Sequence, residues 1–270
     1  MRGLRAGETL TVQAGGNLGN DFTTTGATLN IEAGSIGNSA QVVASEINIS
    51  GGTIGNDFDA FASEVNISGG TIDEFFNAFA GSTVNISGGT VGTSFNAFEG
   101  STVNISGGQV GGFFEAFNGS TVNISGGTVG NGFRALNGST VDISGGQIGN
   151  AFQALGGSTV NISGGEFLLN GIAVNDISSP LTLSFGDVFT GTLEDGSSFL
   201  FSADFSNSDR LNGINLIETS TPTVNITTQT IDTASTLGGI SPAQTLTVEA
   251  GGVLGDDFTC LLYTSPSPRD

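Results

Sequence analysis

A hexapeptide close to VNISGG recurs along the first half of the chain, beginning at Leu29, Ile47, Val65, Val84, Val103, Val122, Val141 and Val160, with a degenerate copy, LTVQAGG, from Leu10. The steps between copies are 19, 18 and 18 residues and then 19 five times. A period this regular restricts the fold more than any composition does. Each copy is one supersecondary unit too small to bury its own apolar side, so neighbouring units must stack.

The copy STVNISGGQVGGFFEAFNG shows what one unit is. With Val103 as position zero, Val103 and Ile105 alternate with Thr102, Asn104 and Ser106, the two-residue period of a strand with one apolar face. Gly107 and Gly108 then supply a sharp corner. A second apolar site follows at Val110, and a third apolar segment at Phe114, Ala116 and Phe117. The pair Phe95 and Phe98 of the preceding copy sits at helical spacing, which allows one helical turn there, while the Gly-rich flanks leave no room for a whole helix.

Across copies the apolar positions form columns. Position two is isoleucine, as at Ile67, Ile86, Ile105 and Ile124, and position seven is Ile or Val, as at Val91 and Val110. Position eleven is Phe58, Phe76, Phe95, Phe114, Phe133 and Phe152; position fourteen is Phe61, Phe79, Phe98 and Phe117, then Leu136 and Leu155. Like stacked on like builds one continuous core, each buried Phe contributing about 1.5–3 kcal/mol. Position one is a polar, outward ladder that includes Asn66, Asn85, Asn104, Asn123 and Asn161. The expected fold is all-β, a parallel β-helix of about nine coils of 18–19 residues, roughly 40 Å long at the ~4.8 Å strand spacing.

The expected boundaries follow from where the period holds. Residues 1–165 form the repeat array; 166–221 a β-rich cap or spacer, with Asp195-Gly196 as a hairpin turn; 222–259 the start of a second array; and 260–270 a non-native tail. The second array is expected because 244–259, QTLTVEAGGVLGDDFT, matches 8–23, ETLTVQAGGNLGNDFT, at 12 of 16 positions with an offset of 236. A chain cut on entering its second module accounts for this. The tail, CLLYTSPSPRD, holds the only Cys and the only Tyr, and its back-translation resembles, base for base, a transposase-type sequencing adapter. Without Cys260 there is no disulfide and no thiolate metal site.

Five arginines, no Lys or His and 25 acidic residues give a formal net charge of −20. Phosphate binding needs clustered cations, so nucleic acid is excluded as a partner, as is an anionic membrane surface. No apolar run reaches the ~18 residues of a membrane span, and the start lacks a signal peptide's apolar centre. The expectation is that Met1 is not the natural start, and that the protein is extracellular or at a cell surface.

The STVNISGG and GGTVG words, the Phe and Asn columns and the missing cysteines resemble bacterial secreted and cell-surface parallel β-helix proteins, adhesins and autotransporter passengers among them, over residues 8–165. The resemblance implies a rod that binds surface glycans or matrix along one face, although pectate-lyase-like enzymes share the architecture.

Three functions follow. A structural or adhesive module fits the near identity of the coils, because an active site is a local break in regularity. A polysaccharide lyase or hydrolase would need a base and paired carboxylates; Arg134, at variable position twelve, is the one base in the array, and Asp57 with Asp59 or Asp73 with Glu74 are the acid pairs. Ice or crystal-surface binding would use the Thr, Asn and Ser columns as a flat polar face. No catalytic, cofactor or metal residue is expected: a G-G-x-G-x-D calcium nonapeptide is missing, and the Asn-Ile-Ser triplets read as ladder rather than as glycosylation acceptors.

Overall fold

The computed structural model describes residues 4–203 and 210–219, with the backbone of two further strands, Thr223–Ile226 and Thr245–Val248. Its first unit runs to Thr219 and is a parallel β-helix of about eight turns. Among the described residues there is no helix, and so none long and apolar enough to cross a membrane.

Each coil has three strands. The first is the alternating segment, as in Thr83–Ile86 and Thr102–Ile105; the second is a two-residue strand such as Gln109–Val110; the third is a two- or three-residue strand such as Asp59–Phe61 or Asn96–Ala97. The register places like over like: Val84 beside Val103, Asn85 beside Asn104 and Ile86 beside Ile105. First and second strands share a 19-stranded sheet, and the third strands form a nine-stranded sheet on another side of the coil.

The corner explains its own sequence. Gly108 has φ +72°, a left-handed conformation that a side chain makes costly, and a Cβ there would stand 2.6 Å from the carbonyl oxygen of Gly88 one coil below. Gly107 has no such φ, yet its Cβ would meet the Ser87 carbonyl oxygen at 2.4 Å. One glycine therefore serves the bend and the other the close stacking of backbones.

Inside, the columns named from sequence are buried: Ile67, Ile86, Ile105, Ile124, Val91 and Val110, and Phe76, Phe95, Phe114, Phe133 and Phe152. Successive position-eleven rings stack with centroids 4.7–5.1 Å apart from Phe76 to Phe152. The third segment corrects an expectation, because it is strand and not a helical turn. Residues alternate across it, so Phe95 points in and is buried, Ala97 points in, and Phe98 points out. Position fourteen is accordingly an external column and not part of the core.

After Gly165 the regular coil opens. Thr159–Leu169 continues antiparallel to Val188–Leu193, which turns at Asp195-Gly196 into Ser198–Ser202. Phe201 lies against Phe152 at 5.3 Å, and Phe167, Phe189 and Phe199 are buried beside it, so the hairpin covers the end of the Phe stack. The chain then rejoins the columns: Arg210–Leu211 pairs parallel with Gln153–Ala154, and Ile214–Glu218 with Thr159–Leu169. The edges left at Gln153–Ala154 and Thr159–Leu169 are thereby paired, and Leu181 and Leu183 bond in turn to Ile214 and Leu211.

Beyond the first unit, Thr223–Ile226 and Thr245–Val248 pair in parallel with Thr223 beside Thr245. The remainder of 222–259, expected to open a second array, and all of 260–270 lie outside the described residues.

Candidate functional site

The long sheet presents a polar ladder. Starting with Asn48, which donates to Asn30, and continuing through Asn66, Asn85 and Asn104 to Asn123, each Nδ2 donates to the Oδ1 of the coil before it at 2.8–3.1 Å. Asn161 donates to Asp142, and Asn215, on the far side of the hairpin insertion, donates to Asn161 at 2.8 Å. Asp142 has no amide N–H to donate, so the run is interrupted between Asn123 and Asp142. From Asn66 to Asn104 the ladder uses half of each amide's capacity, leaving one N–H and one lone pair per coil, whereas Asn48 Nδ2 also donates to Glu46 Oε1 at 3.0 Å.

The third strands make a second face. Position twelve carries Gln41, Asp59, Asn77, Asn96, Glu115, Arg134 and Gln153 outward. Asn96 donates to Asn77 and Asn77 to Asp59, both at 2.9 Å. Burial holds the Asp59 carboxyl above its ordinary range; the Asn77 hydrogen bond opposes this, the Asp57 charge adds to it, and a Gln41 hydrogen bond opposes it again. Arg134 Nη1 pairs with Glu115 Oε1 at 2.5 Å, while its Nε is buried without a partner.

Beside this polar column runs position fourteen. Phe61, Phe79, Phe98 and Phe117 are half-buried and stack on one another with centroids 4.4–4.8 Å apart. Since ring faces meet ring faces, only the ring edges look outward. The ladder lengthens into Val43, 37% exposed, at one end and into Leu136 and Leu155 at the other. Grouping by apolarity alone hid this surface; counting odd and even positions from Phe114 was the signal that would have found it.

A buried serine column was also missed. Ser101, Ser120 and Ser139 lie at the return corner, and each hydroxyl donates to the carbonyl three residues earlier, Phe98, Phe117 and Leu136, at 2.6–2.7 Å. These bonds tie off each turn before the next coil begins.

Chemically, the two faces repeat one motif many times. Arg134 is compensated by Glu115, and among the described residues no group of three or more His, Cys, Asp or Glu side chains is placed to hold a metal ion. Compared with known proteins, the chain matches no family model, no curated protein and no solved structure.

Proposed function

We propose that the chain is a structural and adhesive module of an extracellular or cell-surface protein, which meets surface glycans or matrix with the outer faces of its solenoid and carries out no catalysis. One observation carries the reading: the outward amide ladder is repeated from Asn30 to Asn215 with a single acidic replacement, at Asp142. A catalyst concentrates unlike groups at one place, whereas a surface that grips a polymer gains by repetition. The net charge of −20 directs the choice toward neutral rather than anionic polymers.

The lyase or hydrolase alternative rests on Arg134, whose guanidinium is engaged by Glu115. The ice or crystal-surface alternative rests on the flat Thr and Asn columns, and it is weakened because the Asn amides already bond one another.

The test is binding to immobilised neutral and acidic glycans and matrix proteins, run beside assays on pectin and alginate with and without calcium and a thermal hysteresis measurement. Retention on a neutral polymer with no turnover is the expected result. Turnover that disappears in Arg134→Ala would overturn the non-catalytic reading, and hysteresis without polymer binding would favour the crystal surface.

A further inference from the structure

The apolar stripe of position fourteen has no partner within the described residues. It runs from Val43 through Phe61, Phe79, Phe98 and Phe117 to Leu155, about 29 Å at the ~4.8 Å strand spacing. Exposed Ala44, Ala62 and Ala80 widen it at one end. Monomeric proteins rarely leave so long an apolar strip open to water. Because the stacked rings offer edges and not faces, a sugar ring cannot lie flat on them, and the strip suits another apolar strip of the same period. A second copy of the chain has that period by construction.

We propose that two copies pair through this face as an antiparallel dimer, with a two-fold axis lying along the third strand Asn96–Ala97, at the coil of Phe98. The axis sets Phe98 against its own counterpart, Phe79 against the partner's Phe117 and Phe61 against the partner's Leu136, so apolar meets apolar along the stripe.

The position-twelve column selects this arrangement. Arg134 lies two coils to one side of the axis and Asp59 two coils to the other, so the partner's Asp59 comes opposite Arg134 and the reciprocal pair forms as well. Within one chain the two are four coils apart, about 19 Å, too far to meet. Arg134 is committed at Nη1 to Glu115 and its Nε is buried, which leaves Nη2 of the partly exposed guanidinium for an opposing carboxylate. An axis one half-coil nearer Phe79 would set Glu115 against the partner's Asp59, and parallel rods would not bring position twelve against itself at all.

Two features oppose the pairing and make it weak. The chain's charge of −20 repels a second copy, and Glu99, exposed at the rim of the axial coil, faces its own counterpart. The face covers roughly 500 Å² per copy, at the low end for specific association.

Sedimentation of the whole chain across a concentration series, at low and moderate salt, tests this. A concentration-dependent dimer is expected, strengthened by salt and by Glu99→Gln. Phe98→Glu should abolish it, and Arg134→Asp should weaken it about tenfold. Combining Arg134→Asp with Asp59→Arg should restore it, which a merely structural role for Arg134 would not do. In a Cys260→Ser background, Phe98→Cys should crosslink to itself under mild oxidation, while Phe61→Cys should do so only when mixed with Leu136→Cys. A chain that stays monomeric throughout, a dimer indifferent to Phe98→Glu, or self-crosslinking at Phe61→Cys would each overturn the proposal. Circular dichroism of each variant separates lost pairing from lost folding.

Discussion

Phe113 and Phe114 are neighbours with opposite fates. Phe114 is fully buried between Phe95 and Phe133, whereas Phe113 is 65% exposed and held at φ +60°. Phe114→Ala should therefore cost about 3–5 kcal/mol in urea melts. Phe113→Gly, which relieves a left-handed side chain while freeing the unfolded chain, should change stability by no more than about 1 kcal/mol. Equal costs at the two sites would place the register wrongly. A second residue-scale case is Thr24, whose hydroxyl is buried without a partner in the inward column that continues as Val42 and Ala60. Thr24→Val keeps the volume and removes an unsatisfied group, so it should raise stability by about 1 kcal/mol, read as a higher denaturant midpoint at unchanged slope.

Among the elements, the hairpin that opens the regular coil is the least repetitive and the most specific. Its Asp195 reaches back over the corner: Oδ2 accepts from the Gly146 backbone N–H at 2.7 Å, and Oδ1 accepts from Ser197 N and Oγ. A side chain at Gly145 would strike this carboxyl, which explains a glycine there beyond its role in the coil. Partial burial raises the Asp195 pKa, and the hydrogen bonds from Ser197 and Gly146 outweigh it, leaving the carboxyl below its ordinary 3.8. A depressed folded pKa stabilises above the unfolded value and loses that contribution as pH falls through the folded one. Asp195→Asn should therefore cost about 1 kcal/mol near neutral pH, after allowance for solvent screening, and the gap from the unaltered chain should close below about pH 4. Melts at pH 7 and pH 3 check it; a gap that widens in acid would contradict the assignment.

For the whole chain the dominant long-range term is charge. A net −20 with five arginines means that compaction works against self-repulsion, and the one side-chain ion pair among the described residues is Arg134 with Glu115. Screening should then stabilise the fold: the melting temperature should rise as salt increases from low to moderate concentration, where the Debye length falls from about 30 Å toward 8 Å. A melting temperature that falls over that range would point to stabilising ion pairs and contradict the accounting. Stacked coils also share their neighbours, so stability accumulates by coil and interface, and loss of one Phe should be felt in adjacent turns.

Period, corner glycines and like-on-like columns were legible from the chain alone, because a repeat that places one residue type at one position specifies its neighbours along the stack whatever the coil's cross-section. Val84 beside Val103 and the buried Phe76 to Phe152 column follow from that spacing. The side to which position fourteen points did not follow from apolarity, since Phe98 is as hydrophobic as Phe95. Its direction depends on whether three residues of backbone run as strand or as helical turn, and an odd step along a strand reverses the face. The return of Ile214–Glu218 to the stack after the hairpin was equally hidden, because no repeat word marks it and its register is set by pairing with Thr159–Leu169 across the insertion. Local pattern thus determined which residues stack, and only the closed coil decided which of those stacks became core and which became surface.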